Sequence, residues 1–253
     1  MEVAPKVIFL SRDKRGHGNA LANSLQPSPQ SQLQRTAYRA FSLGDCNSES
    51  SFELSLESYG ISGTNASGDL ISFIDAHGSP VVSMLLLQNY EPPVAACAVS
   101  EVLRCIMKGT SGYMPSIIVP IVVADSRIGS VDKIPSAANR KVTLYAAEFG
   151  PSTDVTQIMV RGMQYPPLSF RLQNEPLACL LQIVPVLKFP VVLLVAATSM
   201  ISKSVDHEVE ALYELGEFLA SPGGLCLCKD KISGSLTREK AKVGVEAWRA
   251  IYG

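Results

Sequence analysis

Four places in the sequence carry residue types that could do chemistry. The first is Asp125-Ser126-Arg127, directly after the apolar run Ser116–Ala124. An acid, a hydroxyl and a guanidinium at the carboxyl end of a strand could hold a polar ligand, because α/β sheets bind ligands beyond those ends. The plainer alternative is a polar turn. The second is Cys226-x-Cys228. A structural zinc site needs four ligands, and no second Cys pair or His stands at metal spacing. Two cysteines alternating along one strand is the simpler reading. The third is the set of three histidines, His17, His77 and His207. His17 falls in the Ser/Gln-rich stretch near the start, which reads as an arm. His77 precedes Gly78 and reads as a turn residue. His207 lies between acids in the first turn of a helix and reads as solvated. The fourth is the ending Ile251-Tyr252-Gly253. A terminal carboxylate can make a charge-assisted bond to a lysine in a pocket. Tyr252 adds a flat ring with a polar tip, and Ile251 adds apolar burial. Capture of a chain-end carboxylate is a recurrent mode of peptide recognition. The alternative is that Ile251 and Tyr252 finish the last helix against the core.

Other catalytic signatures are missing. The sequence holds no Gly-x-x-x-x-Gly-Lys phosphate loop, no Gly-x-Gly-x-x-Gly fingerprint and no Gly-x-Ser-x-Gly elbow. The expectation is a protein with no catalytic residues, no metal and no cofactor. A small-molecule enzyme stays open as the alternative, with Asp125, Ser126 and Arg127 as all it could offer.

The elements that would position these residues are legible from periodicity. Residues 1 to 50 are broken by Gly16, Gly18, Pro27, Pro29 and Gly44 and filled with Ser, Gln and Asn. They read as a flexible N-terminal arm, with Val7–Leu10 at most a short strand. From Ser51 a single α/β domain is expected to run to Gly253. Phe52, Leu54 and Leu56 alternate with polar residues, as in a half-buried strand. Gly60 and the stretch from Gly63 to Gly68 read as loop, then Leu70–Ile74 and Val81–Leu87 as strands. Val94–Met107 reads as a helix, with Pro92 and Pro93 before it and Gly109 after it. Ser116–Ala124 is a strand whose Pro120 implies an edge or a bulge. Val142–Ala147 alternates again. Leu177–Val184 reads as a helix and Val191–Ala197 as a buried strand. Pro185 and Pro190 break the apolar stretch from Leu177 to Ile201, so it is not expected to span a membrane. Val205–Ala220 is amphipathic, and a last helix is expected from about Leu236 to Ala250. Strands alternating with helices predict a layered α/β sheet with helices on both faces.

Composition narrows the class. The chain has 253 residues, 22 basic and 23 acidic, a formal net charge of −1, and only 18 % charged residues against 47 % hydrophobic ones. Near-neutrality argues against a nucleic-acid binder, which needs clustered Lys and Arg. The shortage of charge, set against an average of about 25 %, fits either a large core or an apolar surface covered by a partner. Of the six cysteines, Cys97, Cys105 and Cys179 sit in apolar, helix-like runs, which argues against a disulfide framework. With no signal-peptide pattern at the start, a reducing compartment, cytosol or nucleus, is expected.

From Ser51 onward the order of elements resembles the proteasome assembly chaperone 1 family. The residues that carry the resemblance are Ser51–Tyr59, Leu70–Ile74, Val81–Leu87, Val94–Met107 and Ile117–Ala124. Most similar is Glu175–Leu177 through Lys188–Thr198, followed by the helix Val205–Leu219. The ending hydrophobic-Tyr-any, here Ile251-Tyr252-Gly253, looks like a docking tail for the proteasome α-ring. The resemblance implies a nucleoside-phosphorylase-like, non-enzymatic α/β fold. It implies a heterodimer with proteasome assembly chaperone 2 and binding to proteasome α-subunits, with Ile251, Tyr252 and Gly253 inserted between neighbouring subunits. It implies a protein of cytoplasm and nucleus with no nucleic-acid or membrane partner.

Overall fold

The computed structural model describes residues 1–37, 51–110, 112–124, 142–167, 170–172, 174–198 and 205–236. In chain order the elements are β1 (Lys6–Ser11), α1 (His17–Ser24), β2 (Leu25–Pro27), β3 (Gln34–Ala37), β4 (Ser51–Ser55), β5 (Asn65–Ile74), β6 (Pro80–Leu87), α2 (Val94–Gly109) and β7 (Ser116–Ala124). There follow β8 (Val142–Phe149), α3 (Asp154–Val160), α4 (Glu175–Leu187), β9 (Val191–Thr198), α5 (Val205–Ala220) and β10 (Leu225–Leu227). Residues 229–236 are helical.

Among the described residues the main sheet has eight strands in the order β3-β5-β6-β1-β7-β9-β8, with β4 also paired to β5. Strands β6, β1, β7 and β9 run parallel and form its centre. Strands β5 and β8 pair antiparallel with β6 and β9 on either side. Strands β3 and β4 share one edge of β5: β4 pairs with residues 65–69 and β3 with residues 71–74.

Period-two alternation divides the core into two layers. Val7 and Phe9 of β1 join Val119 of β7 and Val191, Leu193 and Val195 of β9 on one face, under Val99, Val102 and Ile106 of α2 and Leu180 and Val184 of α4. Ile8 and Leu10 join Ile118, Val192, Leu194 and Ala196 on the other face, under Leu21 of α1 and Leu212, Leu215 and Leu219 of α5. The sheet is thus covered by helices on both faces, as the sequence predicts. This explains why β9 is buried at every position and reads as a continuous apolar run.

The expected N-terminal arm is corrected over residues 1–37. Strand β1 lies in the middle of the sheet, between β6 and β7. The residues before it are also tied down: Ala4 N donates to Ser83 Oγ at 2.9 Å, and Tyr113 Oη donates to the Val3 carbonyl at 2.7 Å. Residues 38–50 lie outside the described residues. A second correction concerns the stretch from Gly63 to Gly68, read as loop. Strand β5 already begins at Asn65, and Gly68 sits where a Cβ would stand 2.4 Å from the Leu86 carbonyl oxygen. The glycine there serves strand packing and not a turn.

Helix α3 and the helical residues 229–236 have no counterpart in the sequence reading, and α4 runs on through Pro185 to Leu187, past the expected end at Val184. Helix α5 spans the predicted residues. Helix α4 closes at Lys188, whose left-handed φ of 56° turns the chain into β9. The expected last helix, from about Leu236 to Ala250, lies outside the described residues except for Leu236, which ends the helical residues 229–236, where Ile232 and Leu236 are buried. No helix among the described residues is long and apolar enough to cross a membrane.

Candidate functional site

Strands β1 and β7 pair only from Lys6–Ile8 to Ser116–Ile118. Beyond that point β1 follows β6 to Ser11, and β7 follows β9 to Ala124. A crevice therefore opens between their carboxyl halves. Pro120 sits at the opening. Ile117 N donates to the Pro190 carbonyl on the β9 side, so by alternation the amide position of residue 120 faces β1. The donor that proline lacks falls on the side where pairing has ended. Pro120 is accordingly tolerated inside an interior strand, where the sequence pointed to an edge or a bulge.

The crevice widens into a cleft of about 450 Å³, within the roughly 300–1,000 Å³ range of ligand pockets. Its apolar walls come from Leu10 of β1, Ile121 and Val123 of β7, Leu177 of α4 and Leu215 of α5. Its polar groups are Asp13, Lys14, Arg15 and His17 after β1, Asn89 and Glu91 after β6, and Arg171, Asn174 and Glu175 at the start of α4. The parallel strands flanking β1 lie on opposite sides of it. This is a strand-order switch of the kind where open α/β sheets bind ligands.

The turn from β1 into α1 is built around Asp13. Its Oδ1 accepts from Arg15 N at 2.7 Å and His17 N at 3.3 Å, and its carbonyl accepts from Gly16 N at 3.0 Å. These bonds satisfy orphan amides at the helix start. Two glycines make the turn possible. Gly16 has φ 76°, a left-handed conformation that side chains resist. Gly18 lies so close to β1 that a Cβ would stand 2.1 Å from the Ser11 carbonyl oxygen. Arg12 reaches the other way, to an ion pair with Asp69 of β5.

The result is a buried imidazole lining the cleft. His17 is only 8 % exposed. Its Nδ1 lies 3.9 Å from Asp13 Oδ2, and its Nε2 lies 3.8 Å from Glu208 Oε2 on α5. Both distances exceed a hydrogen bond, and His17 Nε2 has no hydrogen-bond partner. Glu208 in turn accepts from Arg15 Nη1 at 2.8 Å. Opposite, Asn174 caps α4 by accepting from Leu177 N at 3.1 Å and donates its Nδ2 to Ser11 Oγ at 2.9 Å. The ends of β1, α4 and α5 are thereby tied around one cavity.

The sequence-derived candidates are placed as follows. Asp125, Ser126 and Arg127 lie outside the described residues, as do Ile251, Tyr252 and Gly253. Ala124, just before the first group, ends β7 at the cleft side of the sheet. Cys226 is on β10, whose strand pairs with β2, and Cys226 and Cys228 are free thiols. Among the described residues no group of His, Cys, Asp and Glu could hold a metal ion. His77 lies in a turn held by Asp75, whose Oδ1 accepts from His77 N at 2.8 Å and Ser79 N at 2.9 Å. His207 is half-buried, not solvated, and its Nδ1 is enclosed without a hydrogen-bond partner. His17, assigned to an arm by the sequence reading, is the most enclosed ionisable side chain of the cleft. The missed signal was a short apolar strand followed by charged residues, a Gly-x-Gly pair and the small-residue helix Asn19–Ala22.

A family model described as "Domain of unknown function (DUF7894)" matches residues 1–253. The chain belongs to this family. A search of curated proteins finds no match. Solved structures do match. A protein with unknown function from Thermoplasma acidophilum is 9 % identical with a TM-score of 0.55, over 98 % of this chain and 91 % of that one. A PAC2 family protein from Streptomyces avermitilis is 12 % identical with a TM-score of 0.50, over 96 % of this chain and 95 % of that one. PbaA from Pyrococcus furiosus, described as an archaeal homolog of proteasome-assembly chaperone, is 13 % identical with a TM-score of 0.50, over 99 % of this chain and 93 % of that one. At such identities the likeness is one of fold. This DUF7894 protein has a fold also found in a PAC2-family protein and in an archaeal homolog of proteasome-assembly chaperone.

Proposed function

We propose that this protein is a non-enzymatic proteasome assembly chaperone subunit of the proteasome assembly chaperone 1 type. It pairs with a second chain of the proteasome assembly chaperone 2 type, acts in cytoplasm and nucleus, and binds proteasome α-subunits through Ile251, Tyr252 and Gly253. The observation that carries the reading is the fold likeness to PbaA over 99 % of this chain, joined to the hydrophobic-Tyr-any residues Ile251-Tyr252-Gly253. Two further features support it. The chain is poor in charge. On and around α3 and α4 it exposes large apolar side chains, with Ile158 61 %, Tyr165 69 % and Val186 79 % exposed. Such side chains suit a surface covered by a partner when they form a patch. Two tethered tails on a heterodimer would reinforce each other through effective concentration.

One observation favours a second reading, a small-molecule enzyme: the cleft between β1 and β7 is lined by charged and polar side chains. Fold alone does not choose between these functions.

The test is capture of the full chain from cells through an N-terminal tag on a long linker, which leaves the terminal carboxylate free. Mass spectrometry of the co-purifying proteins should find proteasome α-subunits and a second chaperone chain of similar fold. Recovery of the chain without any proteasome subunit would overturn the proposal.

A further inference from the structure

We propose that the cleft between the carboxyl halves of β1 and β7 binds a small organic anion, whose carboxylate or phosphate group is held by Lys14, Arg171 and His17. This goes beyond the chaperone reading and does not depend on it.

Three observations converge. The first is His17 itself. A buried polar atom without a partner is costly, and native proteins leave few of them. His17 Nε2 is such an atom, on a residue 8 % exposed that lines the cavity, and Glu208 Oε2 stands 3.8 Å from it, outside hydrogen-bond reach. A ligand oxygen would supply the missing partner.

The second is the balance of charge. Of the acids beside His17, Asp13 is spent on capping α1 and Glu208 on the Arg15 guanidinium. Lys14 and Arg171 line the same cleft, and neither makes an ion pair among the described residues. They are the cations left to receive an anion. Guanidinium suits the paired oxygens of a carboxylate or phosphate. Glu91 and Glu175 also line the cleft. They repel a second negative group and so select for a single compact anion over a polyanion.

The third is the wall. Leu10, Ile121 and Leu215 give the cavity an apolar side, which a bare inorganic ion would leave unfilled. Apolar burial with a few convergent polar groups is the general form of a small-molecule site. The ligand is therefore organic, with a flat or aliphatic body against β7 and α5.

The experiment is a titration of the full chain, labelled with ¹⁵N-histidine, by phenyl phosphate, by benzoate and by benzylamine as a cationic control. The imidazole signals are followed by NMR. A saturable movement of the His17 signals with either anion, His77 staying still, is the expected result, and the anion that binds more tightly identifies phosphate or carboxylate as the natural group. Arg171→Ala, on the exposed rim, should weaken that binding by about tenfold, as expected for loss of one charge-assisted bond. The proposal is overturned by silence of His17 toward both anions up to about 10 mM, beyond the millimolar range of weak specific binding. It is equally overturned by preferential binding of benzylamine, or by undiminished anion affinity in Arg171→Ala.

Discussion

A chain truncated after Ala250 should keep its fold and lose its hold on proteasome α-subunits. Beyond the Tyr252 ring, the expected loss combines two contacts. Burying the Ile251 side chain is worth roughly 1.5–3 kcal/mol, and a hydrogen bond to a charged group adds roughly 1.5–3 kcal/mol. Together these give roughly 3–6 kcal/mol, or a factor of roughly 10²–10⁴ in affinity. Tyr252→Ala should do much of the same damage, since in the proposed docking the ring would fill the pocket with its hydroxyl at the wet rim. Pairing with the second chaperone chain should be unchanged. The measurement is α-subunit affinity and thermal midpoint on the same truncated protein. If Ile251 and Tyr252 instead finish the last helix against the core, the pattern inverts: the midpoint falls and the affinity holds.

The second large effect lies at the other end of the chain. Phe9→Ala should destabilise the fold by about 3–5 kcal/mol, the usual cost of emptying a buried aromatic site. Phe9 is fully buried in β1, in the core layer that also holds residues of α2 and α4. A loss of that size is a large part of a domain's total stability of about 5–15 kcal/mol. Urea unfolding should show the midpoint falling with the slope preserved. A residue in a flexible arm would change stability by less than about 0.5 kcal/mol. The variant thus separates a central strand from a tethered tail.

These two predictions also mark where the sequence was readable. Strands β6, β7 and β9 were visible because each is a long apolar or β-branched run, and α2 and α5 because their apolar positions recur at helical spacing. Strand β1 offered only Val7–Leu10 as its apolar run, followed after Ser11 by four charged residues. Its place in the sheet depends on pairing with β6, with Lys6 opposite Val82, a partner far along the chain. Periodicity describes one segment's faces and carries no information on which distant strand lies beside it. The start of β5 was lost for a different reason: Gly63–Gly68 has loop composition, and only the close approach of the Leu86 carbonyl shows why Gly68 belongs in a strand.

The cleft was half legible for the same reasons. The carboxyl end of β7 was singled out as a place for a ligand on strand-end grounds. The other wall, from Asp13 to Gly18, was hidden with β1. His17 looked inert because nothing in its neighbours' identities reveals that Glu208, on α5, comes within 3.8 Å of its ring.

The central claim concerns the terminal tripeptide, and direct binding to purified α-rings tests it. The full chain should bind saturably. A synthetic peptide spanning residues 248–253 should displace it when it ends in a free carboxylate, and should fail to do so when that end is amidated. No binding to the rings, or equal displacement by both peptides, would contradict the account.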